Sequence, residues 1–404
     1  MPAAAPLKLE RRGASRIRPD LDRLREALAA LGDPQRRFPS ILVVGTNGKG
    51  SSAAIAEAVL RAHSLRTGLY TSPHLVRVEE RIRVGGAAVA LGQLERQLDR
   101  LDGFPELTYF ETLTAAAFAI FAEAGVEVAV LEAGMGGSWD ATRLAESAVA
   151  GLTNVGTDHR AWLGDDRPAI AGDKGRALAA AAWPVVGAGV GADIFQALAA
   201  PDAVSAGSLV QCRPVADGRV ELSWSGGRTT VRLPLSGAHQ LDNAQLALAL
   251  CLRAAAAGWL GGLEPHRVRA AVEGVQWPGR LSRHRLGDRQ VLMDCAHNLE
   301  GATALAAHLG GLGERHHLLF SCLDDKPVEA MAAVLRPVVG EVAVCELADE
   351  RAMPLARLLA AFPGALEASD PEAALAALPD PVLAAGSVRL VGSLLAGSDG
   401  GEAW

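Results

Sequence analysis

The sequence predicts an α/β protein built from two successive domains, each around a largely parallel sheet. Short apolar runs of strand character alternate with helix-period segments along most of the chain, the pattern of α/β units. The 404 residues exceed the ~250–300 at which a single hydrophobic core stops growing. The alternation is interrupted at Trp277-Pro278-Gly279, where Pro and Gly together punctuate structure, and then resumes. The expected division is therefore 1–276 and 277–404.

Taken in order, 40–44 reads as a strand, then a Gly-rich loop, then a helix over 51–62. A helix over 110–124 precedes a strand at 126–131, and a strand at 148–155 leads through a loop to a helix near 167–180. Between 204 and 234 the pattern shortens to alternating stretches with Gly226-Gly227 as a hairpin turn. A helix over 240–257 closes the first domain. Beyond the break, 290–295, 316–321, 341–345 and 381–385 read as strands with helices between them.

Composition narrows the function classes. Half the residues are hydrophobic and 21% are charged, which is globular rather than disordered. Aromatics make up only 4%, so Ala, Leu and Val must build the core. A net charge of −7 with no Lys/Arg-rich run argues against nucleic-acid binding. Cys212, Cys251, Cys295, Cys322 and Cys345 are scattered with no C-x-x-C pair, so reduced, mostly buried thiols are expected rather than disulfides or a zinc site. The opening MPAAAPLKLERRG has no apolar core of the signal-peptide kind, and no long uncharged apolar run follows. A cytoplasmic protein without a membrane segment is the expectation.

The chemistry concentrates in Gly45-Thr46-Asn47-Gly48-Lys49-Gly50-Ser51, between a buried strand and a helix. In that context backbone N–H groups and a helix N-terminus cradle phosphates. The spacing is not that of the standard P-loop, which would need Gly at Val43 and Ser or Thr at Gly50. An ordinary glycine turn with a surface lysine is the plainer reading, but the strand–loop–helix setting favours nucleotide. Glu132 at a strand end, Asp158-His159 after the next strand and Lys174 on the following helix lie where such sheets place ligands. Singly, such a Glu is a solvated or capping residue and such a His is structural; together they point to metal ligation.

That loop, followed by Thr71-Ser72-Pro73-His74-Leu75 and Glu80-Arg81-Ile82, resembles the folylpolyglutamate synthase/dihydrofolate synthase family of the Mur ligase superfamily. The resemblance continues through Tyr109-Phe110-Glu111, Gly136-Gly137 with Asp140-Ala141-Thr142, and Asp158-His159 with Leu163-Gly164-Asp165. It resumes at Gly237-Ala238-His239-Gln240 with Asn243-Ala244, at Trp277-Pro278-Gly279-Arg280-Leu281 and at Asp294-Cys295-Ala296-His297-Asn298. Asp325-Lys326 and Gly386-Ser387 extend it almost to the end of the chain.

The resemblance implies an N-terminal P-loop ATPase domain of Mur ligase type and a smaller C-terminal Rossmann-like domain. It implies an ATP-dependent ligase that joins L-glutamate to dihydropteroate or a reduced folate through an acyl phosphate. Lys49 would hold the ATP phosphates within a loop of Thr46, Asn47, Gly48, Gly50 and Ser51, with Asn243 at the adenine and Arg280 and Asp294 completing the ATP site. Ser51, Ser72, Glu132, His159 and a carbamylated Lys174 would hold Mg2+, two ions in all. Phe110 and Asp140 would meet the pterin–aminobenzoate portion, and His297 and Ser387 the incoming glutamate. A monomer is expected. Ser138, Trp139 and Arg143 stand where the family has Arg-Leu and Asn, and Asp173 replaces a Glu beside the modified lysine; the first change touches the expected folate pocket. The rival readings are another Mur-type ligase, against which Thr71–Leu75 and the compact second domain weigh, and an ATP-binding protein that has lost catalysis.

Overall fold

Ser40–Val44 (β1) is buried along its whole length, as a continuous apolar run must be when both faces of a parallel sheet are covered. The structure, a computed structural model, describes residues 20–158 and 166–397 together with Leu9, Arg12, Arg18, Trp162 and Gly164. Around β1 stand Thr67–Tyr70 (β2), Ile82–Val84 (β3), Ala87–Ala88 (β4), Val128–Glu132 (β5), Val149–Leu152 (β6), Trp183–Val186 (β7) and Val204–Ser205 (β8). They form one sheet in the order β4-β3-β2-β5-β1-β6-β7-β8. All its pairings are parallel except those of β3 with β2 and with β4.

Strand periodicity divides the side chains between two cores. Leu42, Val44 and Leu131 enter one, while Ile41, Val43 and Val130 enter the other. The second core is roofed by the helices Lys49–Ala62 and His239–Ala256, whose mutual contact is extensive. A three-stranded antiparallel sheet of Val210–Pro214 (β9), Val220–Trp224 (β10) and Gly227–Val231 (β11) packs against it. Trp224 pairs with Gly227, so the hairpin turn is Ser225-Gly226, one residue earlier than the Gly226-Gly227 expected.

The second unit is a six-stranded sheet, β12-β13-β17-β14-β15-β16. Its strands are Ser282–Leu286 (β12), Arg289–Asp294 (β13), His317–Phe320 (β14), Val342–Cys345 (β15), Leu366–Ala368 (β16) and Val382–Ala385 (β17). Only β12 runs antiparallel to its neighbour. Two further cores lie on its faces.

The strands β1, β5, β6, β13, β14, β15 and β17 fall where the apolar runs placed them. Of the missed strands, β12 reads SRHRL and β16 reads LEA, with mostly exposed or half-buried residues, so no buried face marks them in sequence. The interior strands β2 and β7 were missed as well, because TGLY and WPVV are short runs broken by Gly or Pro that carry no strand pattern of their own. The helix after the Gly-rich loop begins at Lys49 rather than Ser51 because Gly48, at φ +81°, reverses the chain and caps it. All five cysteines are free. No helix among the described residues is long and apolar enough to cross a membrane.

Candidate active site

Three parallel strands deliver the site. The loop 45–48 leaves β1, Glu132 ends β5, and the segment Thr153–Asp158 follows β6, so all three emerge at adjacent carboxyl ends. The loop is fixed to the β6 segment by paired bonds. Thr46 N donates to Asn154 O at 3.1 Å, Asn47 N to Asn154 Oδ1 at 3.0 Å, and Asn154 Nδ2 returns one to Asn47 O at 3.1 Å. Thr46 Oγ1 accepts from Gly156 N at 2.8 Å. Lys49 Nζ folds back to Thr46 O at 3.2 Å.

Gly48 and Gly50 are glycine for different reasons. Gly48 needs its left-handed φ and lies directly against the Asn243 side chain. Gly50 has ordinary helical geometry, but a Cβ there would lie 3.2 Å from Glu132 Oε2 and 3.3 Å from Trp277 Nε1. The hydroxyl residue of a standard P-loop would be crowded at this position, since Glu132 and Trp277 would have to give way. Ser51 follows instead, 1% exposed, and its Oγ has no partner among the described residues.

Glu132 is buried, and its Oε2 accepts from Ser72 N at 3.0 Å. Burial raises its carboxyl above the ordinary carboxylate range, opposed by the Lys49 charge, the Ser72 N–H and Arg280. The Ser72 loop is itself organised by a carboxylate: Glu80 accepts from Leu75 N at 2.8 Å, Val76 N at 3.1 Å and Arg77 N at 2.7 Å.

Lys174 is not a surface lysine. It is 3% exposed, and its Nζ donates to Gly45 O at 3.1 Å. Burial first, and then the Lys49 charge, lower its pKa to about 7. The adjacent Asp173 is drawn elsewhere, accepting from Gly137 N at 2.8 Å and from Ser138 Oγ. Arg143 Nη1 donates to Ser138 O at 2.6 Å. Ser138, Arg143 and Asp173, all departures from the family pattern, thus form one local network.

The second unit closes the site from the other side. Half-buried Arg280 lies among Cys295, Asp294 and Glu132; burial pulls its pKa down, and these neighbours together hold it above the ordinary value. Asp294, buried and pushed up by that burial, accepts from Leu281 N at 2.9 Å and Ala296 N at 2.8 Å. His297 Nε2 stands 3.2 Å from Asp158 Oδ2, with Nδ1 2.8 Å from Cys295 O. Asn298 Nδ2 donates to Asn47 Oδ1 at 2.9 Å and to Asp158 Oδ2 at 3.3 Å, and Lys326 Nζ to Asp158 Oδ1 at 2.8 Å. Glu300 Oε1 accepts from Thr157 N at 2.9 Å.

Gly50, Ser72, Glu132 and Arg280 share one cleft, Lys49 and Ser51 flank Gly50 in the chain, and Lys174 reaches the same loop at Gly45. His159 lies outside the described residues. Among the described residues no three His, Cys, Asp or Glu side chains cluster as metal ligands; Glu132 is the one such side chain of the expected set described. A buried carboxylate beside a buried hydroxyl without a partner nonetheless fits a hard divalent cation.

Other expected residues are tied to their own elements. Phe110 lies over Gly134 and 5.8 Å from the Tyr70 ring. Asp140, buried, accepts from Met135 N at 2.9 Å and Thr142 N at 3.0 Å. Asn243 Nδ2 donates to Gln240 Oε1 at 2.9 Å, and Ser387 caps the helix Val388–Ala396 through Arg389 N at 3.0 Å. Asn154, Asn298 and Lys326 had no assigned role in the sequence reading. Their one signal was adjacency: Asn154 to the strand end, Asn298 and Lys326 to Asp-Cys-Ala-His and Asp-Lys.

Residues 279–393 match the Mur ligase, glutamate ligase domain. The chain is 38% identical over 373 residues to the dihydrofolate synthase/folylpolyglutamate synthase of Mycobacterium tuberculosis, covering 84% of this chain and 76% of that one. It superposes on Escherichia coli FolC in complex with DHPP and ADP with a TM-score of 0.85 and 29% identity, over 96% of this chain and 95% of the other. It is similar also to the bifunctional folylpolyglutamate synthase/dihydrofolate synthase of Yersinia pestis complexed with AMPPNP and Mn ion, with a TM-score of 0.84 and 27% identity over 96% and 95% of the two chains. With a phosphate loop, a buried carboxylate and a second domain converging on one cleft, and with identity running across most of both chains, the chain belongs to the dihydrofolate synthase/folylpolyglutamate synthase family of ATP-dependent, amide-bond-forming ligases.

Proposed function

We propose that this site activates the carboxylate of dihydropteroate or a reduced folate with ATP and joins it to the amino group of L-glutamate. The observation that carries the reading is that Gly50, Ser72, Glu132 and Arg280 line one cleft between the two units while the Lys49 charge acts on both Glu132 and the buried Lys174. Phosphoryl transfer asks mainly for positioning and charge neutralisation, and these residues offer charge and hard oxygen donors rather than a nucleophile with its base.

In this reading 1–276 is the ATP-binding domain and 277–404 the domain that brings glutamate. Lys49 and the loop Thr46–Ser51 hold the phosphates, Asn243 faces the adenine, and Arg280 and Asp294 approach the nucleotide from the second domain. Ser51, Ser72, Glu132, His159 and carbamylated Lys174 would hold two Mg2+ ions, which neutralise charge on the transferring phosphoryl group. The unmodified ammonium cannot ligate a cation; an amine with a pKa near 7 can be neutral and take up CO2. His297 and Ser387 receive glutamate, and Phe110 and Asp140 the pterin–aminobenzoate body. The glutamate amine then attacks the acyl phosphate and releases phosphate, with the closed cleft excluding water. A monomeric cytoplasmic enzyme belongs to this reading.

The test is incubation with labelled glutamate, MgATP and either dihydropteroate or tetrahydrofolate, with products identified by mass. ATP consumption that requires both pterin substrate and glutamate is expected. Turnover with a cell-wall precursor instead, or ATP binding without any product, would overturn it.

A further inference from the structure

Arg83 is the cation in the cleft that the mechanism leaves unused. It projects from β3, and its guanidinium lies over the Trp277 ring, 5.4 Å from the centroid. Its Nε is buried without a hydrogen-bond partner, and none of its nitrogens forms a hydrogen bond or ion pair among the described residues. It lines the same cleft as Ser72, Glu132 and Arg280. The two carboxylates whose charge acts on it are committed elsewhere, Glu80 to three backbone N–H groups and Glu57 to Arg61 and Thr67. Burial pushes the His74 pKa down, and its Nδ1 accepts from Arg81 Nε at 2.9 Å. A half-buried guanidinium set over an indole, its Nε buried without a partner, is built to receive an anion in forked geometry.

The reaction supplies few anions. ATP phosphates fall to Lys49 and Arg280, and the incoming glutamate to the His297 side. The activated carboxylate must sit by Ser72 and Glu132. β3 lies two strands beyond β5, in the order β3-β2-β5, and neighbouring strands are about 4.8 Å apart. The Arg83 backbone is thus about 10 Å to the side of the Glu132 strand, and its long side chain crosses part of that interval to line the cleft with Ser72 and Glu132. A glutamyl terminus carries a second carboxylate beside the activated one, whereas dihydropteroate has none.

Resting on the function proposed above, we infer that Arg83, set over the Trp277 ring, binds the carboxylate of the acceptor that is not activated and so selects acceptors ending in a glutamyl residue. Arg83 is then a specificity residue, and Trp277 positions it.

The experiment compares full-length wild-type, Arg83→Met and Arg83→Lys proteins with tetrahydrofolate and with dihydropteroate. For Arg83→Met, kcat/KM with tetrahydrofolate should fall roughly 10- to 100-fold, the range for losing a charged hydrogen bond, mainly through KM. Dihydropteroate kinetics and the KM for glutamate should stay within about 2-fold on the same argument, and Arg83→Lys should recover part of the loss. Equal losses with both acceptors, a raised glutamate KM with both, or a wild-type enzyme that uses dihydropteroate alone would each overturn the inference. Equilibrium binding of tetrahydrofolate in the presence of a non-hydrolysable ATP analogue separates this inference from the function itself. Absence of product from wild type counts against the reaction, whereas equal Kd for wild type and Arg83→Met counts against Arg83.

Discussion

Lys326 Nζ lies 2.8 Å from Asp158 Oδ1, with the two side chains 7% and 8% exposed, although Asp158 follows β6 and Lys326 belongs to the second unit. His297 and Asn298 meet the other oxygen of the same carboxylate. The two units are thus joined at a buried acid that stands next to the phosphate loop, through Asn298 and Asn47. Removing one partner of a buried pair costs about 3–5 kcal/mol because the other charge stays behind. Lys326→Met is therefore expected to lower the thermal or urea midpoint strongly, and Lys326→Met with Asp158→Asn to lower it less. Burial disfavours the Lys326 charge, but Asp158 prevails and holds its pKa above 10.5. The contribution is full below that value and is lost as pH rises through the higher folded value. An additive double variant would contradict the pairing.

Lys49→Ala should leave the fold intact and nearly abolish ligation. A group that stabilises transferring charge contributes about 3–4 kcal/mol, or roughly 10²–10³ in rate. Circular dichroism and steady-state turnover check both halves. Near wild-type turnover in a folded variant would remove Lys49 from the nucleotide site.

Gly50→Ser rewrites the loop toward the standard P-loop and is expected to damage it. The added side chain meets Glu132 and Trp277, and overpacking of this kind costs about 1–3 kcal/mol. kcat/KM for ATP should fall by roughly 10-fold or more on that scale. Adding Trp277→Ala should return part of the loss, a non-additive result expected only of residues in contact.

Lys174 should carry a carbamate whose formation follows the neutral amine. With a folded value of about 7, 13C-labelled bicarbonate should give a carbamate signal at pH 8 that weakens as pH falls through 7. Lys174→Arg should lack it. The sign for stability is opposite to that of Lys326. Between 10.5 and about 7 the unfolded chain binds a proton that the unmodified folded chain does not, so in CO2-free buffer stability falls as pH is lowered through that window. Lys174→Met should flatten that slope, as pH-dependent melts can show.

The sequence by itself determined the elements whose signal is local. The run Ile41–Val44 is apolar throughout because both faces of its strand are buried, and Gly48-Lys49 marks a chain reversal into a helix, the setting in which backbone N–H groups can cradle phosphate. Edge strands such as Ser282–Leu286 left no such mark, because solvent on one side removes the apolar pattern. Tertiary structure alone decided the pairings between distant segments. Why Gly50 lacks a side chain depends on Trp277, more than two hundred residues away. Why Lys174 has an acidic amine depends on burial under Gly45 and on the charge of Lys49. Asp158 reads in sequence only as the neighbour of His159, and becomes the junction of two units because three side chains converge on it. Burial and electrostatic fields sum over neighbours in space, and that sum is not written in any one stretch of chain.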